Sequence, residues 1–268
     1  MNIGQLIAER GKPFYSFEFF PPKDPDQWPD FFKMAERLAP LEPLFTSVTY
    51  GAGGSSQDAT LEIVSHLKKE FQFETMAHLT CVGATQEHIT QYLQRLRDNG
   101  VDNVLALRGD IPKGQDIDWE TAEFRHAADL VRFAKAHYPD MGIGVAGYPA
   151  PHPESPSFAS DWRYTVAKIR EGADFVITQL FFDVREYLHF VDRLSDMGVS
   201  IPVIPGKLYL ALEEANAKGG AEAVREAGLK FAVQQIRTLL DNGAPGIHLY
   251  TLNKAPMCLR IAEEVGAL

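Results

Sequence analysis

The stretch Asp174–Gly198, DFVITQLFFDVREYLHFVDRLSDMG, contains the repeating unit that decides the fold. Its first part, up to Phe182, is a short apolar run rich in residues that favour strands. Its second part places Tyr187, Val191 and Leu194 on one face of a helix, and the final glycine is positioned to end that helix. A strand followed by an amphipathic helix is the unit from which parallel sheets are built.

A short apolar run of this kind recurs eight times along the chain, each time followed by a polar loop, although no stretch of sequence is repeated. The runs are Tyr15–Phe20, Phe45–Tyr50, Glu74–Thr80, Val101–Arg108, Gly142–Tyr148, Asp174–Phe182, Ile201–Pro205 and Gly246–Thr251. Amphipathic stretches lie between runs, with glycines such as Gly100 and Gly172 where two of them end. Strands that alternate with helices in this way pair in parallel through right-handed crossovers.

The length of the chain favours closing these strands into a barrel. It has 268 residues, and a (β/α)8 barrel takes roughly 250. We therefore predict an α/β fold, a single (β/α)8 TIM barrel that spans residues 1–268. The alternative is an open, doubly wound sheet, which would have to leave its edge strands unpaired.

Composition excludes several classes of protein. Apolar residues make up 45% and charged residues 23%, as in globular enzymes and unlike disordered or coiled-coil chains. A net charge of −10 argues against a nucleic-acid partner or an acidic membrane surface. We expect a cytoplasmic protein without a signal peptide. The sequence has only two cysteines, its N-terminus has no basic segment before an apolar block, and no apolar run is long enough to span a bilayer.

Polar residues follow almost every apolar run, at the strand ends where barrel enzymes carry their sites. Glu18 is the sharpest candidate. Strand alternation in SFEFFPP puts it on one face with Ser16 and Phe20, and the two other phenylalanines on the opposite face. If that face points into the barrel, burial is expected to raise the pKa of Glu18 and make it a general acid. The alternative is a structural carboxylate held by a lysine or by backbone donors.

Two further segments are candidates for ligand contacts. In LALRGD, Gly109 permits a close approach or an unusual torsion between two charged residues, although such a turn is more often a surface ion pair. Asp161, Tyr164 and Lys168 share a helical face that could hold the polar groups of a cofactor or could simply be solvated. The histidines are scattered without the spacing of metal ligands, so we predict no metal site.

Eight segments together resemble the methylenetetrahydrofolate reductase family, the flavin-dependent barrels of one-carbon metabolism. They lie in order, one per predicted strand, and cover nearly the whole chain outside Lys207–Gly220: SFEFFPPKD, SVTYGAGG, AHLTCVGAT, LALRGDIP, AGYPAPHPES, GADFVITQLFFD, PVIPG and GIHLYTLNK. The resemblance implies bound FAD and two hydride transfers. NADH or NADPH reduces the flavin, which then reduces 5,10-methylenetetrahydrofolate to 5-methyltetrahydrofolate.

The resemblance also implies roles for individual residues. Glu18 would be the acid that opens the methylene bridge, Asp110 would tune flavin and folate, and Gln179 would contact the substrate. Because FAD and folate are anionic and the chain is acidic overall, local cations are also needed, and the candidates are Arg108, Lys168 and, for the folate, Lys254. Folate and the nicotinamide nucleotide would be the partners, and the family leaves a homo-oligomer open. Residues implied for the FAD site are Thr49, His78, Arg108, Gly109, Asp110, Tyr148, His152, Asp161 and Lys168.

This chain departs from the family pattern after PVIPG. The segment Lys207–Gly220, KLYLALEEANAKGG, has high helix propensity and a Gly-Gly break, and we expect it to form a short helix between the last two strands. In the family this connection is longer and carries an aromatic residue that stacks on folate. In this chain the segment is shorter, and the register places Glu213 where that aromatic residue would be. Two positions near Lys168 also differ, being Tyr164 and Ala167. The alternative function is therefore a divergent or rebuilt FAD-binding scaffold with impaired folate turnover.

Overall fold

The computed structural model describes residues 1–50, 57–111, 114, 116–150, 155, 157–208, 213–266 and 268, with backbone alone at 208 and 213–224. The described residues form nine strands that all pair in parallel within one sheet. The strands are β1 Tyr15–Phe19, β2 Phe45–Val48, β3 Thr75–Thr80, β4 Asn103–Leu107, β5 Gly142–Gly147, β6 Phe175–Thr178, β7 Val203–Ile204, β8 Gly206–Leu208 and β9 Ile247–Tyr250.

The sheet closes on itself, which confirms the predicted (β/α)8 barrel. Its order is β7-β6-β5-β4-β3-β2-β1-β9-β8, and the two end strands are separated along the chain by Pro205 alone. Proline has no N–H to donate to a ladder, so it divides one barrel strand into a half that pairs with β6 and a half that pairs with β9. The carbonyl of Pro205 still accepts from the His248 N–H at 3.0 Å. The open-sheet alternative is excluded because β7 and β8 form one continuous run.

Helices lie between consecutive barrel strands, with a further helix before β1 and another after β9. Two single turns of 3-10 helix, at Pro25–Gln27 and Ala39–Leu41, flank α2. The α-helices in the described part of the chain are α1 Ile3–Arg10, α2 Trp28–Glu36, α3 Gln57–Phe71, α4 Gln86–Asp98, α5 Ala127–His137, α6 Phe158–Arg170, α7 Val184–Asp196, α8 Glu213–Asp241 and α9 Ala255–Val265.

The helical faces and the glycine stops follow the sequence pattern. In α4, Ile89, Leu93 and Leu96 are buried against the sheet, as the apolar spacing predicts. The glycines that follow α4 and α7, Gly100 and Gly198, have φ of +76° and +82°, the left-handed conformation that commonly ends a helix.

The prediction of a short helix over Lys207–Gly220 is wrong at both ends. Residues 206–208 form β8, and the helix that follows, α8, runs without interruption from Glu213 to Asp241. A glycine inside a helix costs about 1 kcal/mol relative to alanine. The helix-forming sequence on both sides of Gly219 and Gly220 therefore outweighs the break that the pair suggested.

Two apolar clusters stabilise the barrel. The larger one lies between the sheet and the surrounding helices, and the smaller one fills the barrel interior with residues such as Phe45, Met76 and Phe175. Ile3 and Ile7 of α1 belong to the interior cluster, and the Ile3 N–H donates to Asn103 Oδ1 at 2.8 Å. Helix α1 therefore covers the end of the barrel where the strands begin.

Both chain ends described by the structure lie at this covered end. The amino group of Met1 is 3.3 Å from Glu74 and 3.2 Å from Asp102, which directly precede β3 and β4. The Leu268 main-chain oxygen accepts from Arg10 and Lys12, shortly before β1. The opposite end, where the strands finish, is left for the site.

Candidate active site

A cavity of about 910 Å³ opens at the ends of the strands, where barrel enzymes carry their chemistry. Its volume lies at the upper end of the usual range for ligand and cofactor sites. Its floor is apolar, with Leu105, Leu107 and Ile177 among the lining residues. It brings together nearly all the residues that the sequence nominated: Glu18, Thr49, His78, Arg108, Gly109, Asp110, Tyr148, Asp161, Tyr164, Lys168 and Gln179.

Glu18 lies at the bottom of this cavity, in β1. Ser16 and Glu18 point into the barrel, whereas Phe17 and Phe19 belong to the outer core, so the predicted alternation is confirmed. The Glu18 carboxylate is 6% exposed. Its Oε2 lies 3.3 Å from His78 Nε2. This contact lacks the angle of a hydrogen bond, and His78 Nε2 has no other partner among the described residues.

The expected rise in the pKa of Glu18 is wrong. Burial pushes the pKa upward, but the imidazoles of His78 and His248 outweigh burial and lower it to about 2. A nearby group that favours the ionised form can overcome desolvation in this way. Glu18 is therefore a carboxylate between two histidines, and its proton chemistry is coupled to theirs.

His248 is a site residue that the sequence reasoning did not select. It is fully buried in β9, with Nδ1 2.9 Å from Ser16 Oγ and Nε2 3.6 Å from the Glu18 carboxylate. Burial lowers the pKa of His248, and Glu18 opposes that change. Strand alternation could have found it, because β1 and β9 are parallel neighbours whose register sets His248 beside Ser16 and Tyr250 beside Glu18.

The turn after β9 holds the end of β1 in place. Thr251 Oγ1 donates to the Glu18 carbonyl at 2.7 Å. Asn253 accepts from the Phe20 N–H at 3.0 Å and donates to the Phe20 carbonyl at 2.7 Å. Leu252 and Asn253 both have left-handed backbones, with φ of +48° and +56°. Such backbone strain is typical of functional sites, and here it directs hydrogen bonds to both sides of the strand end that carries Glu18.

Gly109 forms a tight turn directly after β4. Its φ is +85°, and a Cβ placed there would lie 2.8 Å from Thr80 Cβ and 3.0 Å from Val82. The carbonyl of Arg108 accepts from the Val82 N–H at 2.8 Å, which closes this loop against the neighbouring one. Only glycine fits both the torsion and the space, and Arg108 and Asp110 line the cavity on either side of it.

The Asp161–Lys168 face of α6 points into the cavity and not into solvent. Asp161 is 6% exposed and Lys168 is 9% exposed. Lys168 Nζ donates to the Ala146 carbonyl. Burial lowers the pKa of Lys168 to about 8, and Asp161 opposes that change. Tyr164, one turn away, is half exposed with its ring centroid 5.8 Å from that of His126.

Gln179 follows β6 directly and lines the same cavity. Its N–H donates to the Gly147 carbonyl at 2.7 Å, and its side-chain oxygen accepts from the Leu180 N–H at 2.7 Å. The amide NH₂ of this side chain is thereby oriented by its own loop. Across the cavity mouth, Phe20 and Leu252 add exposed apolar surface.

Some predicted positions are not brought into the site. Lys254 is exposed at the start of α9 and is not among the residues that line the cavity. His152 lies outside the described residues, and the side chain of Glu213 is not described. Within the described ranges, no group of three or more potential ligands could hold a metal ion, and no helix is long and apolar enough to cross a membrane.

The arrangement suits an elongated ligand with a flat apolar part and anionic groups. The apolar floor, with Leu105 and Leu107 of β4 in its lining, gives a ring system a surface to lie on. Arg108 and Lys168 supply positive charge in a chain with a net charge of −10. The coupled pair of Glu18 and His78 can hold or move a proton at the deepest point of the cavity.

Comparison with known proteins identifies the family. The sequence model of the family described as "Methylenetetrahydrofolate reductase" matches residues 2–215 and 207–266. The two matched pieces meet at the connection after PVIPG that the sequence analysis singled out. The 5,10-methylenetetrahydrofolate reductase of Escherichia coli is 33% identical over 286 aligned positions, which cover 98% of this chain and 95% of the relative. That alignment exceeds the 268 residues of the chain, so the relative carries residues that this chain lacks.

Longer relatives match along only part of their length. Methylenetetrahydrofolate reductase (NADH) 1 of Arabidopsis thaliana is 37% identical over 296 positions, covering 98% of this chain and 50% of the relative. The chain thus spans about half the length of the plant relatives that it matches. A solved Clostridium thermocellum protein, described as binding two copies of 5-methyl-5,6,7,8-tetrahydrofolic acid, has the same fold. Its TM-score is 0.67 at 14% identity, covering 97% of this chain and 96% of the other. The chain belongs to the methylenetetrahydrofolate reductase family.

Proposed function

We propose that this chain is a flavin-dependent reductase that converts 5,10-methylenetetrahydrofolate to 5-methyltetrahydrofolate. Family membership and the names of the relatives support this activity. The observation that carries the proposal is the cavity itself, in which the family's strand-end residues meet around a buried carboxylate. We take residues 1–268 to be one catalytic domain, the whole barrel serving one site.

FAD is the proposed cofactor, and the residues present fit it. The cavity has an apolar floor for a flat ring, with Leu105, Leu107 and Ile177 in its lining, and Arg108 with Lys168 offsets the charge of a pyrophosphate. Thr49, Tyr148 and Asp161 offer polar groups along the same cavity, and His152 remains a proposed contact. When bound, the flavin supplies hydride transfer from the nicotinamide nucleotide to the folate.

Glu18 is the proposed proton donor for opening the methylene bridge. The carboxylate is ionised because His78 and His248 stabilise its charge. Substrate against the small exposed part of the carboxylate would complete its burial, which favours the protonated form. His78 would return a proton to Glu18 after each turnover once their 3.3 Å contact closes into a hydrogen bond.

Asp110 and Gln179 are the proposed partners of the substrate's polar ring edge. Both line the cavity in the loops that follow β4 and β6, and Gln179 is oriented by its bond with the Leu180 N–H. Lys254 is proposed to meet the carboxylates of the folate outside the cavity, since it is exposed at the start of α9. We further propose NADH or NADPH as the reductant, a cytoplasmic location and a homo-oligomeric assembly.

The test is a pair of anaerobic half-reactions on the flavin-loaded protein. We expect NADH or NADPH to bleach the visible flavin absorbance and 5,10-methylenetetrahydrofolate to restore it. Bleaching without restoration would establish a flavin-binding scaffold without folate turnover. If the protein retained no flavin absorbance after FAD was added and the unbound FAD was removed, the cofactor and the reaction would both be contradicted.

A further inference from the structure

Lys207 is a buried lysine that the proposed reaction does not use. It lies in β8 and is 2% exposed. Its Nζ donates to the Phe181 carbonyl and to Gln235 Oε1, both at 3.0 Å, and lies 3.6 Å from the centroid of the Phe181 ring. Within the part of the chain that the structure describes, no carboxylate lies within ion-pair distance of this ammonium group.

The contacts of Lys207 converge on the loop between β6 and α7. Gln235 of α8 also donates from Nε2 to the Phe182 carbonyl, so two consecutive carbonyls of this loop are held from outside. Phe181 itself is buried, with its ring stacked 5.6 Å from that of Tyr187. The same loop begins with Gln179, which lines the cavity.

A buried ammonium group is costly unless its contacts compensate for lost hydration. Burial lowers the pKa of Lys207 to about 7, and the carboxylates of Glu186 and Asp183 at the start of α7 oppose that change. Arg185, between them, is paired with Asp183 at 2.5 Å. On the α8 side the group that contacts Lys207 is the neutral amide of Gln235. An apolar residue at this position would be less costly to bury. We therefore expect the function of Lys207 to lie in the hydrogen bonds that it donates.

We propose that Lys207 is a positioning residue that clamps the Gln179–Phe182 loop and thereby sets the Gln179 amide for the folate substrate. The clamp rests on geometry alone, and its effect on folate rests on the proposed function. Lys207 acts through the loop, since it does not line the cavity itself.

The clamp is tested in the flavin-loaded protein by hydrogen–deuterium exchange. In Lys207→Met, peptides that contain residues 179–182 should exchange at least about tenfold faster, because the loss of a charge-assisted hydrogen bond frees the loop. The matched control is Lys135→Met. Lys135 also donates to a main-chain carbonyl, that of Met141, but at the opposite end of the barrel. Unchanged exchange in Lys207→Met, or equal acceleration in the control, would overturn the clamp.

The effect on substrate is tested by titrating 5-methyltetrahydrofolate into the same proteins at about pH 6 and about pH 8. Wild-type affinity should be higher at the lower pH, where Lys207 is protonated. Lys207→Met should bind about tenfold more weakly at the lower pH, and its affinity should depend less on pH than that of wild type. Lys207→Arg should restore binding at both values, and the flavin affinity of every variant should stay within about twofold.

The outcomes separate the two proposals. Wild-type protein that binds no 5-methyltetrahydrofolate contradicts the proposed function and the role of the clamp in it, whatever the exchange data show. Wild-type binding that Lys207→Met leaves unchanged contradicts the positioning role alone. Equal weakening of flavin and folate binding would show that Lys207 supports only the structure of the barrel.

Discussion

A buried carboxylate lies between two imidazoles in the barrel. Glu18 is buried, and His78 and His248 approach the same oxygen atom, Oε2. The cluster joins three strands, β1, β3 and β9, which lie in one continuous part of the sheet, so its geometry depends on the register of these neighbouring strands. Two predictions follow from the charge on Glu18.

The first prediction concerns catalysis. Glu18→Gln should leave reduction of the flavin by the nucleotide within about twofold of wild type, because this step needs no proton from Glu18. The folate half-reaction should slow by at least about 10²-fold, the usual contribution of a general acid. Anaerobic stopped-flow absorbance separates the two steps. Equal losses in both steps would show that Glu18 is a structural carboxylate.

The second prediction concerns acid stability. The folded-state pKa of Glu18 is lowered from 4.5 to about 2, so its contribution to stability is present above about pH 4.5 and is lost as the pH falls toward 2. Between about pH 5 and about pH 3, wild type should lose about 2 kcal/mol more free energy of unfolding than Glu18→Gln. Urea denaturation at the two values measures this difference. Parallel losses in the two proteins would contradict the lowered pKa.

Sequence predicted the position of Glu18 but not its charge state. Alternation along one strand requires only the local residues, and it correctly pointed Ser16 and Glu18 inward. The pKa depends on His78 and His248, which come from strands 60 residues or more distant along the chain. That effect becomes predictable only when the parallel register of β1 and β9 is known.

At the scale of elements, the site is built by short turns that follow individual strands. Gly109 after β4 and the Leu252–Asn253 pair after β9 have left-handed backbones, and both bring a loop against its neighbour. These turns fix where the strand ends lie, which is why changes in them should act on ligand binding more than on the fold.

The third prediction concerns the turn after β4. Gly109→Ala should weaken FAD binding by at least about tenfold, because the new Cβ meets Thr80 in a left-handed torsion. Titration followed by flavin fluorescence measures the affinity. The control is Gly83→Ala, which is also left-handed but leaves 3.4 Å to its nearest neighbour, the Ile117 side chain. If Gly83→Ala weakened FAD binding equally, the cause would be the strained backbone torsion and not the close contact of position 109 with Thr80 and Val82.

The fourth prediction concerns the turn after β9. Asn253→Gly keeps the left-handed backbone and removes both hydrogen bonds to Phe20. The rate of the folate half-reaction should fall by about tenfold, as expected for lost positioning next to Glu18. Asn242→Gly, which removes a similar side-chain bond to a helix carbonyl at the far end of α8, is the control. The idea fails if stopped-flow traces of both variants match wild type.

Sequence pattern predicted the helices and strands well where the local signal was consistent. It failed over Lys207–Gly220, where the residues read as a short helix. The first residues join the barrel because β9 offers a partner for Lys207, and the later ones extend into α8. Pairing with β9 determines the strand, and the helix-forming sequence beyond Gly220 determines where α8 continues. Neither is included in a prediction made from residues 207–220 alone.

At the scale of the whole molecule, the barrel closes at one crowded place. Pro205 separates β7 from β8, and the next residue, Gly206, donates its N–H to Thr178 Oγ1 at 3.0 Å. Tyr250 donates to the Thr178 carbonyl at 2.8 Å across the same gap. The closure depends on there being no side chain at position 206.

The fifth prediction tests this closure. In Gly206→Ala the Cβ would lie 2.2 Å from the Thr178 carbonyl oxygen and 2.4 Å from the Tyr250 hydroxyl. The free energy of unfolding should fall by about 3 kcal/mol, at the upper end for overpacking. Gly100→Ala, in an open helix stop, should cost only about 1 kcal/mol of backbone strain. Chemical denaturation gives both values, and equal costs would show that the closure tolerates a side chain.

The two chain ends described by the structure, Met1 and Leu268, are held at the covered end of the barrel, on the far side from the cavity. A tether attached to either end therefore leads away from the mouth. Immobilisation through an N-terminal or a C-terminal tag should leave the cavity facing solution. A fused partner would likewise have to reach around the length of the barrel before it could touch a bound ligand.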